Sequence, residues 1–267
     1  MKGRLERAFA HARKGRRAAF IPFITAGDPT ASRTVVLART LERVGADIVE
    51  LGVPFTDPIA DGPTNQRSAE RALAQGTTLS TVLEIVRELR FSSTIPVVLF
   101  SYFNPVHAYG LARFAVDAAA VGVDGVLFTD VPVDEAGAAW EALRRVGIEL
   151  VLLVAPTSTR ERVKAVRKLA GSFVYFVART GVTGTRTSLE EGLEDQVRLV
   201  RKLTKSRVAV GFGVSTPEQV SRIAQFADGV VVGSALVQRI GELGDAPELP
   251  GEIEALGRTF VMATHRK

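Results

Sequence analysis

The sequence of 267 residues contains no cysteine and only three histidines. Without cysteine the chain can form no disulfide bond, no thiolate metal site and no cysteine nucleophile. The histidines, His11, His107 and His265, are scattered, with no His/carboxylate spacing that is typical of a metal site. We therefore predict no metal site, and no Ser/His/Asp arrangement for nucleophilic catalysis is apparent.

The sequence also lacks an apolar stretch of the ~20 residues that a membrane-spanning helix needs, and its start does not resemble a signal peptide. We therefore expect a soluble, cytoplasmic protein with no membrane partner. The net charge is +5, with a basic cluster at Arg13, Lys14, Arg16 and Arg17. Neither exposed aromatics nor a groove-binding helix accompany this cluster, so we interpret it as a solvated helix end and expect no nucleic-acid partner.

Apolar residues make up 46% of the chain and recur in short runs, each followed by a helical pattern. Eight such runs lie at residues 19–24, 47–53, 96–101, 125–128, 149–154, 173–177, 208–211 and 229–232. Strict β-then-α alternation predicts parallel strands that are buried on both faces. Eight units in about 250 residues are typical of an α/β fold of the (β/α)8 TIM barrel type, and a doubly wound open sheet is the alternative.

The N-terminal residues 2–13 have apolar positions at helical spacing. They predict an extra N-terminal helix that covers one end of the barrel. No linker, low-complexity tract or change of composition divides the chain, so we expect residues 1–267 to form a single domain.

One carboxylate interrupts an apolar run, because Glu50 lies within the second predicted strand. Burying a carboxylate without a partner costs several kcal/mol, so a short buried strand rarely carries one without a use for it. A Gly/Pro-rich loop follows and presents Asp61, eleven positions later. A fixed acid and a second acid on a movable loop resemble a general acid/base pair. The alternative is that Glu50 reaches solvent and Asp61 belongs to an ordinary turn.

Glycine-rich loops follow the last three predicted strands, at residues 179–186, 211–215 and 233–235. Glycine lets backbone N–H groups approach an anion closely, and helix N-termini add partial positive charge. Many barrels bind phosphate near strands seven and eight, which predicts a phosphorylated substrate, although the glycines could serve only tight turns. A dinucleotide fingerprint is excluded at residues 211–213 because its third glycine is missing. No lysine for Schiff-base chemistry lies at a C-terminal strand end.

Four motifs, in chain order, resemble those of the tryptophan synthase alpha chain family. They are FIPFITAGDP at residues 20–29, ELGVPFTDPIADGP at 50–63, GVTG at 181–184 and GFGVSTP at 211–217. The resemblance implies a lyase of L-tryptophan biosynthesis that cleaves indole-3-glycerol phosphate to indole and glyceraldehyde 3-phosphate. It implies that Glu50 protonates the indole carbon bearing the side chain and removes the glycerol hydroxyl proton. Asp61 would take the indole N–H and stabilise the positive charge that develops on the ring.

The resemblance also implies the remaining site residues. The substrate-binding positions are Phe23, Phe100, Tyr102, Tyr175 and Thr183. The phosphate-binding positions are Gly184, Phe212, Gly213, Gly233 and Ser234. Residues 54–62 and 179–192 correspond to the two mobile loops of the family, and Thr183 would meet Asp61 when both loops close.

Family members usually pair with a beta subunit that carries pyridoxal phosphate. The resemblance therefore implies an α2β2 complex, partner contacts at Asp57, Pro58 and Asn104, and no cofactor in this chain. The sequence departs from the family pattern in three places, with Phe100 in place of an expected leucine, the polar run at residues 64–66, and the basic pair Arg179 and Arg186.

Three other functions stay open at this stage. One is another phosphate-binding barrel, such as an indole-glycerol-phosphate synthase or a phosphoribosyl isomerase, although these depend on lysine or on differently placed acids. Another is a standalone lyase that releases free indole. The last is a non-catalytic regulatory subunit, which would gain little from both Glu50 and Asp61.

Overall fold

A computed structural model of the protein describes residues 3–178 and 192–266. Within these ranges, strands alternate with helices as the sequence predicts. The strands are β1 (Ala19–Thr25), β2 (Val49–Gly52), β3 (Val97–Ser101), β4 (Gly125–Phe128), β5 (Glu149–Val151), β6 (Leu153–Val154), β7 (Phe173–Val177), β8 (Arg207–Gly211) and β9 (Gly229–Val232). The helices are α1 (Arg4–Lys14), α2 (Ala31–Val44), α3 (Pro63–Ala74), α4 (Leu79–Arg90), α5 (Phe103–Tyr109), α6 (Leu111–Val121), α7 (Gly137–Arg145), α8 (Arg160–Leu169), α9 (Leu193–Thr204), α10 (Pro217–Ala224), α11 (Ser234–Leu243) and α12 (Leu249–Ala263).

The strands form one parallel sheet in the order β5-β4-β3-β2-β1-β9-β8-β7-β6. Its two ends, β5 and β6, are halves of a single barrel strand that is interrupted at Leu152. The Leu152 carbonyl accepts a hydrogen bond of 3.0 Å from the Tyr175 N–H group, while β5 pairs with β4 and β6 pairs with β7. The sheet therefore closes into the predicted TIM barrel, and the predicted fifth strand is present with a break.

Two apolar clusters follow from the alternation of side chains along each strand. Inward-facing residues such as Ile21, Val98 and Leu127 fill the barrel interior. Outward-facing residues such as Phe20 and Leu51 are buried beneath the surrounding helices. Because the barrel strands are covered on both sides, nearly every strand residue is buried, as the continuous apolar runs predict.

Helix α1 covers the N-terminal end of the barrel. Its apolar face, with Leu5, Phe9 and Ala12, is buried and belongs to the same cluster as the barrel interior. The Phe9 ring lies against the Phe173 ring, with 5.1 Å between their centroids. The predicted N-terminal helix is therefore present and leaves the C-terminal end of the barrel for a site.

Some predicted boundaries were wrong. Helix α3 begins at Pro63, whose fixed φ suits the first helical turn, although residues 63–68 show no apolar periodicity that would predict a helix there. The predicted strand at residues 47–53 shortens to β2 because Asp47 leaves the sheet pattern. Its carboxylate pairs with Arg17 and accepts a hydrogen bond of 2.8 Å from the Phe20 N–H group. Helices α5 and α11 were not predicted, and α5 contains Asn104.

The two described ranges contain no helix that is long and apolar enough to cross a membrane. They also contain no group of three or more His, Asp or Glu side chains that could hold a metal ion.

Candidate active site

Glu50 lies on β2 and faces the barrel interior. In the sheet it is the register partner of Phe23 on β1 and of Val98 on β3. The residue is 1% exposed, and among residues 3–178 and 192–266 its Oε2 atom has no hydrogen-bond partner. Burial raises the pKa of Glu50 to about 8, so this side chain can hold a proton at neutral pH and exchange it with a ligand.

Asp61 lies in the loop between β2 and α3, and its carboxylate is fixed by a neighbouring strand end. The Tyr102 hydroxyl, just after β3, donates a hydrogen bond of 3.1 Å to Asp61 Oδ2 and accepts one of 2.8 Å from the Ala60 N–H group. The other oxygen, Asp61 Oδ1, is buried and has no partner in the described ranges. Burial raises the pKa of Asp61, and hydrogen bonding from the Tyr102 and Asn65 side chains opposes that rise. One oxygen is therefore held and the other is left for a ligand.

A partly open cavity lies beside Asp61. Its walls are mostly apolar, and the Phe23 and Phe100 rings meet edge to face with 5.2 Å between centroids. Gly52 makes room for this arrangement, because a Cβ atom there would lie 2.6 Å from Phe23 Cζ. An apolar slot with one free carboxylate oxygen suits a flat aromatic ring that carries a hydrogen-bond donor.

Tyr175 on β7 lies across the barrel from β2 and is 3% exposed. Burial raises its pKa well above the ordinary value, and the charges of Glu50 and Asp61 add to the rise. Gly211 on β8 leaves the space that the phenol occupies, since a Cβ atom there would lie 2.1 Å from Tyr175 Oη. The Tyr175 and Phe212 rings pack with 5.8 Å between centroids.

The predicted phosphate positions that the structure describes lie after two adjacent strands, β8 and β9. Phe212 and Gly213 both have left-handed backbone conformations, with φ of 71° and 74°. Gly233 and Ser234 begin α11, and no side chain of the described residues caps this helix, whereas Thr216 and Gln219 cap α10. The first N–H groups of α11 are thus available to an anion. Thr183 and Gly184 lie outside the described residues.

The predicted partner positions lie on the outer side of this end of the barrel. Asp57 and Asn104 are exposed and Pro58 is half-buried. The neighbouring Ile59 side chain is 88% exposed. The loop that carries Asp61 therefore also presents an apolar side chain to solvent.

Two polar residues of α3 belong to the site but were not predicted as site residues. The Gln66 amide donates hydrogen bonds to the Asp61 carbonyl, at 2.9 Å, and to the Pro58 carbonyl, at 3.3 Å, which ties the loop to the helix. Asn65 lines the cavity beside Asp61. The polar run at residues 64–66, directly after the Asp-Gly-Pro turn, was the available signal.

Comparison with known proteins agrees with this geometry. A family model for the tryptophan synthase alpha chain matches residues 9–260. The tryptophan synthase alpha chain of Solibacter usitatus is 48% identical over 255 residues, which cover 96% of both chains. That of Geobacter sulfurreducens is 47% identical over 97% of both chains. The chain belongs to the tryptophan synthase alpha chain family.

Solved structures of this family have the same fold. The alpha subunit of tryptophan synthase from Legionella pneumophila superposes with a TM-score of 0.91 at 34% identity, covering 99% of both chains. A chain from the tryptophan synthase a2b2 complex of Pyrococcus furiosus gives a TM-score of 0.86 at 40% identity, covering 92% of this chain and 99% of that one. The predictions of family, TIM barrel fold and lyase activity on indole-3-glycerol phosphate are confirmed.

Proposed function

We propose that Glu50 and Asp61 are the acid/base pair of the alpha reaction, the cleavage of indole-3-glycerol phosphate to indole and glyceraldehyde 3-phosphate. The observation that supports this most strongly is the buried Glu50 carboxyl, whose Oε2 atom has no partner in the described ranges and whose pKa is raised to about 8. A carboxyl that is protonated at neutral pH can act first as an acid and then as a base.

The proton transfers balance with these two groups alone. Protonated Glu50 gives its proton to indole C3, and the positive charge that develops on the ring is stabilised by the Asp61 carboxylate, which takes the N–H proton. Glu50, now a carboxylate, removes the proton from the hydroxyl on the carbon attached to C3. The carbon–carbon bond breaks, its electron pair returns to the ring, Asp61 returns the proton to the ring nitrogen, and the side chain leaves as the aldehyde.

Two features support different protonation states for the two acids. Glu50 Oε2 has no hydrogen-bond partner within the described part of the chain, and burial raises the pKa of this carboxyl. Asp61 accepts a hydrogen bond from the Tyr102 hydroxyl, which favours the ionised carboxylate. Environments that move two carboxyl groups apart in pKa are typical of acid/base pairs.

The substrate phosphate is proposed to bind at the N-terminus of α11, next to Gly213. This places Gly233 and Ser234 at the anion and directs the organic part of the substrate toward Phe212 and the aromatic slot. Aromatic contacts from Phe212 to Tyr175 and to Phe100, with centroid distances of 5.8 and 6.3 Å, connect the two parts of the site.

The proposed partner is a tryptophan synthase beta subunit, which would hold the pyridoxal phosphate, and the complex is proposed to act in the cytoplasm. The structure from Pyrococcus furiosus is described as showing mutual activation in an a2b2 complex. In this chain, exposed Asp57 and Ile59 lie on the loop that carries Asp61, and exposed Asn104 lies on α5. A partner bound to this loop would act on the position of Asp61 directly.

Indole release from indole-3-glycerol phosphate by the purified chain, with and without a beta subunit, tests this proposal. We expect slow indole release by the chain alone and faster release when the partner is present. The partner should increase the rate of the Asn104→Ala variant less than it increases the rate of the wild type. Fast release that the partner does not change would instead identify a standalone lyase. Tight binding of the substrate without release in either condition would identify a regulatory subunit and overturn the proposal.

A further inference from the structure

The side chain of Asn65 is a polar group in the aromatic cavity that the acid/base mechanism does not use. Asn65 is in the first turn of α3, four residues after Asp61, and lines the same cavity as Asp61, Phe23 and Phe100. Its Oδ1 atom is inaccessible to solvent and has no hydrogen-bond partner in the described ranges.

An unpaired amide oxygen in such a place is unfavourable for the free protein. Burying a polar group without a hydrogen bond destabilises the folded state. The neighbouring polar side chains of α3 do have partners. Gln66 binds the loop carbonyls, and the Ser68 hydroxyl lies 2.6 Å from the Thr25 hydroxyl. Asn65 differs from Gln66 and Ser68 in that its Oδ1 atom has no partner in the described ranges.

The nearest acid has an unpaired oxygen as well. Asp61 Oδ1 is buried without a partner of good hydrogen-bond geometry in the described ranges, and hydrogen bonding from the Asn65 side chain lowers the pKa of the Asp61 carboxyl. Two acceptor oxygens, from Asp61 and Asn65, therefore line one wall of an apolar slot. A ligand that places a hydrogen-bond donor between them would satisfy both.

We propose that Asn65 is a substrate-binding and specificity-determining residue of this site, whose Oδ1 accepts a hydrogen bond from the ring N–H group of the substrate, beside Asp61. This inference rests on the proposed function, because that function supplies a ring N–H donor in the slot. A site built to bind an N–H group discriminates strongly against an analogue that lacks it, since its buried acceptors are then left unpaired.

The proposal predicts opposite effects of Asn65→Leu on stability and on binding. Leucine has a similar volume and removes the unpaired oxygen, so the free variant should be at least as stable to thermal unfolding as the wild type. The same change removes an acceptor for the ligand, so affinity for an indole ligand should fall about three- to tenfold. A residue that served only the fold would lose stability instead.

A thermodynamic cycle tests the contact itself. The ligands are 3-(indol-3-yl)propyl phosphate, which has no cleavable hydroxyl, and its benzothiophene counterpart, in which sulfur replaces the N–H group. Calorimetry gives both dissociation constants for the wild type and for Asn65→Leu. The cycle isolates the contact between residue 65 and the N–H group. We expect loss of the N–H group to weaken binding at least about threefold more in the wild type than in the variant, because only the wild type has the Asn65 acceptor.

Thr64→Val is the matched control, since residue 64 is on the same helical turn but does not line the cavity. In Thr64→Val, loss of the ligand N–H group should weaken binding by the same factor as in the wild type. Asn65→Ala provides the same cycle should Asn65→Leu fail to fold. Equal effects of N–H removal in the wild type and in the Asn65 variants would overturn this inference alone. Failure of the wild type to bind either ligand would overturn the proposed function together with it.

Discussion

The Tyr102 hydroxyl donates a hydrogen bond of 3.1 Å to Asp61 Oδ2, which joins the end of β3 to the loop that follows β2. The same hydroxyl accepts a hydrogen bond from the Ala60 N–H group, so one phenol fixes both the loop backbone and the carboxylate. Because Tyr102 is buried at a strand end, the position of Asp61 is set by the rigid barrel rather than by the loop alone.

Tyr102→Phe should therefore affect both the rate and its pH dependence. The hydrogen bond from Tyr102 lowers the pKa of Asp61, so its loss should raise that pKa. If the ionised carboxylate is the active form, the acidic limb of kcat/KM for indole release will move to higher pH. The rate at neutral pH should fall about tenfold or more, as expected for losing a hydrogen bond to a charged group. An acidic limb that stays in place would show that Tyr102 does not tune Asp61.

Glu50 should make the free energy of unfolding depend on pH. Burial raises its pKa from 4.5 to about 8, so between these values the folded state holds a proton that the unfolded state has released. Stability from this group is complete below the unfolded pKa and is lost as the pH rises toward 8, at about 1.4 kcal/mol per pH unit. Glu50→Gln does not ionise, so it should gain stability relative to the wild type across this window. Thermal unfolding of both proteins from pH 5 to 9 measures the effect, and a constant difference would contradict it.

The packing of Phe23 against Gly52 should be sensitive to a single methyl group. In Gly52→Ala the new Cβ would lie 2.6 Å from Phe23 Cζ and 2.9 Å from Phe23 Cε2, so the ring must move. Overpacking of this kind costs about 1–3 kcal/mol and should also weaken binding of the indole ligand. Adding Phe23→Leu removes both contacting atoms and should recover part of the stability. Gly251→Ala is the control, because nothing lies within 4 Å of its Cβ; equal effects of the two alanines would refute the packing argument.

The N-terminus of α11 should respond to a fixed negative charge. Ser234→Asp places a carboxylate where the phosphate is proposed to bind, and acids at a helix N-terminus stabilise the free protein by about 0.3–1 kcal/mol. We expect an unchanged or raised melting temperature together with a large rise in KM for indole-3-glycerol phosphate. Ser234→Asn has nearly the same size without the charge. If both variants raise KM equally, charge at this position is not what matters and the proposed phosphate site is wrong.

Much of the fold could be predicted because barrel strands are buried on both faces and appear as uninterrupted apolar runs. Glu50 stood out for the same reason, as a carboxylate within such a run. Helix α3 could not be bounded in this way, since residues 63–68 lack apolar periodicity and begin with Pro63. The break at Leu152 depends on pairing with two different neighbours, which no local pattern records.

The site was harder to predict where it depends on side-chain partners. The sequence shows that Asn65 and Gln66 are both polar, but it does not show that Gln66 finds two carbonyl acceptors while Asn65 Oδ1 finds no donor in the described ranges. Likewise, the hydrogen bond from Tyr102 to Asp61 requires the adjacency of two strand ends and a particular rotamer. Such contacts are properties of the assembled barrel.

Single-turnover release of indole from indole-3-glycerol phosphate tests the central claim most directly. The wild type is compared with Glu50→Gln and Asp61→Asn, and binding of 3-(indol-3-yl)propyl phosphate is measured in parallel. We predict that each substitution lowers the rate at least about a hundredfold, as expected for loss of general acid/base catalysis, while both variants still bind the ligand. Release at a rate close to that of the wild type by either variant would contradict the assignment of that residue to the reaction.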